Sequence, residues 1–261
     1  MENTSVKYSI LEAAKPYLEG KTVQDLVVGI SLIAVQLSDE SVGVSYVLRY
    51  NLPPECSAFG YAAGAVGMSA WDVAKWTVEG KDNIARSIGG AVLAAASQQL
   101  EIADDTDELC RYGMDITPED TVGMIGFIKP MAKVLSRQVK KLYVFDEGVS
   151  LYEGPVHVCG MDQQPVLLPQ CTKMIITGSS TINGSIDGLL DMCHNASQIA
   201  IVGSSTPMFP EGWKDTMVTT LAGAWWPKDR KEEIFRIISL GGGIAQLRSL
   251  IQYKERRGCR V

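Results

Sequence analysis

The chain has 261 residues, 46% of them hydrophobic and 21% charged, with a formal net charge of −6. That is enough apolar material for one large domain or two ordinary ones, and the acidic balance offers no basic surface to nucleic acid or an anionic membrane. No apolar run approaches the ~18 residues of a membrane span, and the start, MENTSVKYS, lacks the basic and apolar stretches of a signal peptide.

The six cysteines (Cys56, Cys110, Cys159, Cys171, Cys193 and Cys259) form no CxxC pair. Free thiols in a reducing cytoplasm are therefore expected.

The first segment, Ser5 to Leu18, places Val6, Ile10, Leu11, Ala14 and Leu18 at helical spacing and closes on Gly20. TVQDLVVGI, SLIAVQLS and VGVSYVLRY follow as β-rich runs separated by turn residues, which predicts an antiparallel meander ended by Pro53 and Pro54. Ala, Gly and Met dominate the stretch from Ala58 to Leu100. SAWDVAKWTVEG reads as a helix from the Ser69 cap to Gly80, and DNIARSIGGAVLAAASQQLE as a longer one capped by Asp82. Helix, strands and helices in that order predict an α+β unit over residues 1–112.

Residues 113–261 alternate. DTVGMIGF, KLYVFDE, KMIITG, QIAIVG and VTTLAGAWW read as strands. KPMAKVLSRQVK, NGSIDGLLDMCH, a Pro-interrupted segment after Gly203, and DRKEEIFRIISLGGG read as helices. The strands are apolar without alternation, as strands covered on both faces should be. The expectation is an α/β fold with a doubly wound parallel sheet. The basic end, YKERRGCRV, reads as a solvated helix end with a short tail. Gly241 to Gly243 mark a turn or a close backbone approach.

In such sheets ligands bind outside the carboxyl ends of the strands. The Gly-rich loops fall there: Gly123–Lys129, Gly178–Gly184 and Gly203–Pro210. VGMIGFIKP is an incomplete dinucleotide fingerprint. Asp146 and Glu147 nevertheless stand 20 and 21 residues after Gly126, where adenosine binders keep a carboxylate for ribose hydroxyls. Gly-Ser-Ser-Thr occurs twice, at Gly178 and at Gly203. Each copy either caps a helix or lines a polar, anion-favouring site, and Asn183 joins the first copy in one of the same two roles.

Metal spacing is sparse. His157 and His194 are the only histidines; His157 and Cys159, two apart on a strand, are the one pair on a common face. A closed zinc site needs four ligands, so ordinary side chains are the simpler reading. No GxSxG, HExxH or P-loop is present, and Lys129, Asp187 and Glu211 are polar residues near loops without the setting of a general base.

VVGISLIAVQLS, GVSYVLR, SIGGAVLAAAS, TVGMIGFIKP, IITGSSTINGSIDGLL, IVGSSTPMFP and LAGAWW, in this order, resemble the putative heavy-metal chelation family. The resemblance covers nearly the whole chain. It implies an enolase-N-terminal-like α+β domain at 1–112, a Rossmann-like domain at 113–261, and a site in the cleft between them. On that resemblance Gly126, Thr177, Gly178, Ser179, Asn183, Gly203, Ser204, Ser205 and Pro210 are candidate ligand-binding residues. Enolase chemistry does not follow from a capping domain. Three readings stay open. One is a protein binding or processing a small anionic metabolite, metal ion or metal chelate, with room for a homo-oligomer. The second is an enzyme using an adenosine-containing cofactor such as S-adenosylmethionine or NAD. The third is a scaffold whose loops are only caps.

Overall fold

The computed structural model describes residues 5–48, 59–105, 113–149 and 156–259. The expected stop at Pro53-Pro54, Cys56, Cys110 and most of the linker before residue 113 lie outside these. The chain opens with α1 (Val6–Leu18), which buries Ile10, Leu11, Ala14 and Leu18. β1 (Val23–Val28), β2 (Leu32–Leu37) and β3 (Val42–Tyr46) form the expected antiparallel meander, in the order β1-β2-β3. Four helices follow: α2 (Gly60–Ala65), α3 (Ala70–Ala74), α4 (Trp76–Glu79) and α5 (Asn83–Ala96). The helix expected from Ser69 to Gly80 is thus two short ones that meet at Lys75, and the Ser69 side chain makes no capping bond. Asp82 does cap α5, accepting the Ala85 N–H at 2.9 Å.

The second sheet has eight strands. They are β4 (Ala103–Asp104), β5 (Thr121–Ile125), β6 (Lys141–Phe145), β7 (Val158–Cys159), β8 (Lys173–Thr177), β9 (Gln198–Val202), β10 (Thr220–Trp225) and β11 (Gln252–Arg257), in the order β4-β11-β10-β9-β8-β5-β6-β7. From β10 to β7 every pairing is parallel. β11 runs antiparallel to both β10 and β4, so the sheet is mixed at this edge. This corrects the reading of YKERRGCRV as a helix end. Together with Gln252, its residues Tyr253 to Arg257 line the edge of β10 over six pairs, from Thr220–Arg257 to Trp225–Gln252. Backbone pairing decides here, because β11 buries only Glu255.

Helices cover both faces, which is why the strands are apolar throughout. α6 (Lys129–Leu135) packs Met131, Ala132 and Leu135 on Val122, Met124, Val144, Ile175 and Val202. On the other face Phe145, Met174, Ile176, Ile199 and Ile201 share one cluster with α1, α5 and α9 (Ile186–Met192). The remaining helices are α7 (Gln164–Leu167) and α8 (Ser180–Asn183) on this half, and α10 (Lys231–Ser239) and α11 (Ile244–Leu247) near the end. The helix expected to start at Asn183 is divided: Gly184 takes φ +79°, so α8 stops and α9 starts afresh. The Pro-interrupted segment after β9 forms only a 3₁₀ turn, Pro210–Trp213.

The meander is not an isolated layer. Ile33 and Val35 join the cluster with α5, while Leu32, Ala34, Val42 and Val44 pack on Ala224, Trp226, Ile234 and Ile238. Burial on both faces ties the small sheet to α10 and to the end of β10.

Candidate functional site

The chain winds in two directions. From β5 it moves outward to β6 and β7. It then returns to pair β8 on the other side of β5 and continues to β9 and β10. In open parallel sheets such a reversal of winding is where a crevice outside the strand ends is expected. Gly126 and Thr177 flank that point. Gly126 takes φ +87°, and a Cβ there would lie 3.0 Å from the Thr177 Cβ.

Most of the expected residues gather in one row across the strand ends. Gly126 N–H bonds Phe145 O at 2.8 Å, Gly178 N–H bonds Val202 O at 2.8 Å, and Gly203 N–H bonds Ala222 O at 3.0 Å. Each loop is thus tied to the end of the next strand. The two Gly-Ser-Ser-Thr loops touch: a Cβ on Gly178 would come 2.5 Å from Thr206 N and 2.7 Å from the Ser205 carbonyl carbon.

Half of their six hydroxyls are committed to the fold. Ser180 Oγ donates to Thr177 O, and Thr181 Oγ1 to Gly178 O, both at 2.8 Å. Ser205 Oγ accepts the Tyr46 N–H at 2.9 Å and lies 3.2 Å from Ser45 Oγ, which joins the second loop to β3. Ser179 is 8% exposed and its hydroxyl has no partner among the described residues. Ser204 Oγ and Thr206 Oγ1 are buried without a partner. Such orphaned hydroxyls normally cost about 1–3 kcal/mol each.

The carboxylates at the end of β6 divide their roles. Asp146 accepts the Phe127 N–H at 2.7 Å and the Gly148 N–H at 2.9 Å, one on each oxygen. It holds the β5 and β6 loops together. Glu147 is exposed in the 3₁₀ turn that follows. Asn183 and Pro210 stand away from the row. Asn183 is exposed, and its Oδ1 accepts from Ser185 N–H and Ser185 Oγ. Pro210 begins the turn that packs on α1, where a Cβ on Gly212 would lie 2.6 Å from the Ile10 Cα.

The two residues that could share a strand face differ in burial, with His157 exposed and Cys159 buried. Among the described residues no group of three or more His, Cys, Asp or Glu side chains could hold a metal ion. Cys159, Cys171, Cys193 and Cys259 are free and buried. Burial pushes the Cys171 and Cys193 thiols up to about 12, so both are protonated at neutral pH. No helix among the described residues is long and apolar enough to cross a membrane.

Lys7 was not singled out in the sequence. It carried a signal, because it places a cation in the first turn of α1 with no acidic residue beside it. Its compensation comes from far along the chain: Asp187 accepts the Val6 N–H at 2.8 Å and Ser5 Oγ at 2.7 Å.

Family models described as putative heavy-metal chelation match residues 108–257 and residues 11–97. The chain belongs to the putative heavy-metal chelation family. Two solved structures of this family superpose on almost all of it. A protein of unknown function from Pyrococcus horikoshii gives a TM-score of 0.75 at 21% identity, covering 97% of this chain and 99% of that one. One from Desulfitobacterium hafniense gives 0.75 at 18% identity, covering 96% and 99%. At these identities the likeness is one of fold. An uncharacterized protein of Methanocaldococcus jannaschii is 27% identical over 146 residues, 54% of either chain. The match thus spans about half the length of that curated relative. The family description speaks of metal, while the Cys and His side chains described here offer no ligand set.

Proposed function

We propose that the protein binds a small anionic metabolite or a metal chelate at the crevice between the β5 and β8 loops, with its N-terminal unit alongside. The observation that carries this reading is the reversal of winding between β5 and β8, flanked by Gly126, Thr177 and Ser179. Backbone N–H groups at loop–helix junctions favour anions. The unbonded Ser179 hydroxyl supplies a donor beside them. On this reading the metal comes as cargo on a small molecule, in keeping with the family description and with described side chains that group into no metal site.

We read residues 1–112 as an enolase-N-terminal-like unit and residues 113–261 as a Rossmann-like one. The meander followed by helices supports the first, and the switch-point topology of the parallel strands supports the second. Free buried thiols support a reducing, cytoplasmic setting. A thermal-shift panel of free Ni(II) and Fe(III), their citrate chelates, phosphorylated metabolites, NAD and S-adenosylmethionine tests the proposal. Anionic members should raise the melting temperature, free metal should not, and Ser179→Ala should reduce the shift. A panel in which no anionic member stabilises the protein defeats the reading.

A further inference from the structure

The corner between α8 and α9 lies outside the β5–β8 crevice. Asn183 and Gly184 there form the only Asn-Gly pair in the chain. Asn183, Gly184 and Ser185 are all exposed, and Gly184 takes φ +79° to close α8 before α9 begins. The Asn183 Oδ1 accepts Ser185 N–H at 3.0 Å and Ser185 Oγ at 2.8 Å. These bonds curl the side chain back over the Gly184 peptide. Its Nδ2 has no partner among the described residues.

An amide carbon is displaced when a nucleophile reaches it, its oxygen is stabilised as charge builds, and its nitrogen is free to leave. All three conditions meet at this corner. Gly184 has no Cβ to shield its backbone nitrogen from the Asn183 side chain. The two Ser185 donors stand where Oδ1 would become an oxyanion. Lys7 Nζ lies 3.4 Å from where a Gly184 Cβ would stand. Its charge is therefore within about 6 Å of the Gly184 nitrogen, close enough to favour loss of a proton there. Asn195 presents the opposite case. It is exposed too, but its Nδ2 donates to Pro169 O at 2.8 Å, and the next residue, Ala196, carries a Cβ and is buried.

We propose that Asn183 and Gly184 form a self-modification site, at which the chain converts its own asparagine with water as the only co-reactant and the Lys7 ammonium as an aid. Solvent base takes the Gly184 N–H proton, and the nitrogen attacks Asn183 Cγ. The new C–N bond closes a five-membered ring, and Oδ1 takes the displaced electron pair against the Ser185 donors. When that pair returns, the Cγ–Nδ2 bond breaks and Nδ2 takes a proton from water to leave as ammonia. Water then opens the succinimide. Cleavage of its bond at Cγ gives aspartate. Cleavage at the backbone carbonyl gives isoaspartate, whose main chain is longer by one methylene. Either product sets a new carboxylate at the corner, and isoaspartate also lengthens the turn that Gly184 closes. Asn183 stands outside the β5–β8 crevice, so either reading can fail without the other.

Incubation of the folded full chain in mildly alkaline buffer tests this, with conversion read by peptide mass spectrometry and by enzymatic methylation of isoaspartate. The peptide holding Asn183 should convert at least about tenfold faster than the one holding Asn195. The folded chain should keep within about threefold of the rate of the chain unfolded in guanidinium. A folded Lys7→Met variant should react about threefold more slowly, the effect of one charge at that distance in water, and Lys7→Arg should keep the wild-type rate. Asn183 that stays an amide in the folded chain while it converts in guanidinium overturns the proposal, a comparison that needs no variant. So do equal rates at Asn183 and Asn195 in the folded chain. A wild-type rate in folded Lys7→Met overturns the part given to Lys7.

Discussion

The two ends of the loop row are finished differently. At the β5–β6 end, Asp146 meets two backbone N–H groups with its two oxygens, and Gly126 N–H is bonded to Phe145 O. At the β8–β9 end, Ser204 Oγ and Thr206 Oγ1 are buried without partners among the described residues. A fold rarely leaves buried donors unmatched, since each costs more than a made hydrogen bond returns. Saturation at one end marks residues that hold loops in place. The unmatched hydroxyls at the other end have no such structural task in hand.

The contact between the two Gly-Ser-Ser-Thr loops is the firmest part of this contrast. Gly178→Ala should cost the most, about 3 kcal/mol, because its Cβ would meet backbone rather than a yielding side chain. Urea denaturation measures this against Gly188→Ala in α9, where a Cβ meets nothing within 4 Å and stability should hold or rise. Equal midpoints for the two variants would show that the loops do not press on each other. Next comes Asp146→Ala, expected to cost about 2 kcal/mol for two charge-assisted bonds at a half-buried site. A variant as stable as wild type would release Asp146 from its structural role and return it to the ligand.

Legibility followed the range of the interaction. The meander, α1, α5 and the central parallel strands were readable because periodicity and caps such as Asp82 are local. β11 was not readable. Its one buried residue, Glu255, is polar and pairs with the exposed Arg257, so only the open edge of β10 makes it a strand. The loops at Gly126, Gly178 and Gly203 do follow strand ends, whereas Gly123, read as the start of the first loop, lies inside β5; the winding order places Gly126 and Thr177 at its reversal. That the Gly-Ser-Ser-Thr copies touch was not readable, since it depends on how far β8 and β9 extend. Asp146 matched a ribose-binding spacing, but spacing cannot show that Phe127 and Gly148 already occupy the carboxylate. Lys7 could have been flagged by its place in a first turn. Its surroundings could not, because Asp187 lies 181 residues from Val6.

Asp187 gives the smallest effect. Its carboxylate lies 181 residues from the helix it caps, accepting Val6 N–H at 2.8 Å and Ser5 Oγ at 2.7 Å. Asp187→Ala should therefore lower stability by about 1 kcal/mol, the usual cost of a lost N-terminal cap. Urea denaturation of the variant checks this, and an unchanged midpoint would show that the carboxylate does not hold the start of α1 to the loop-row half of the molecule.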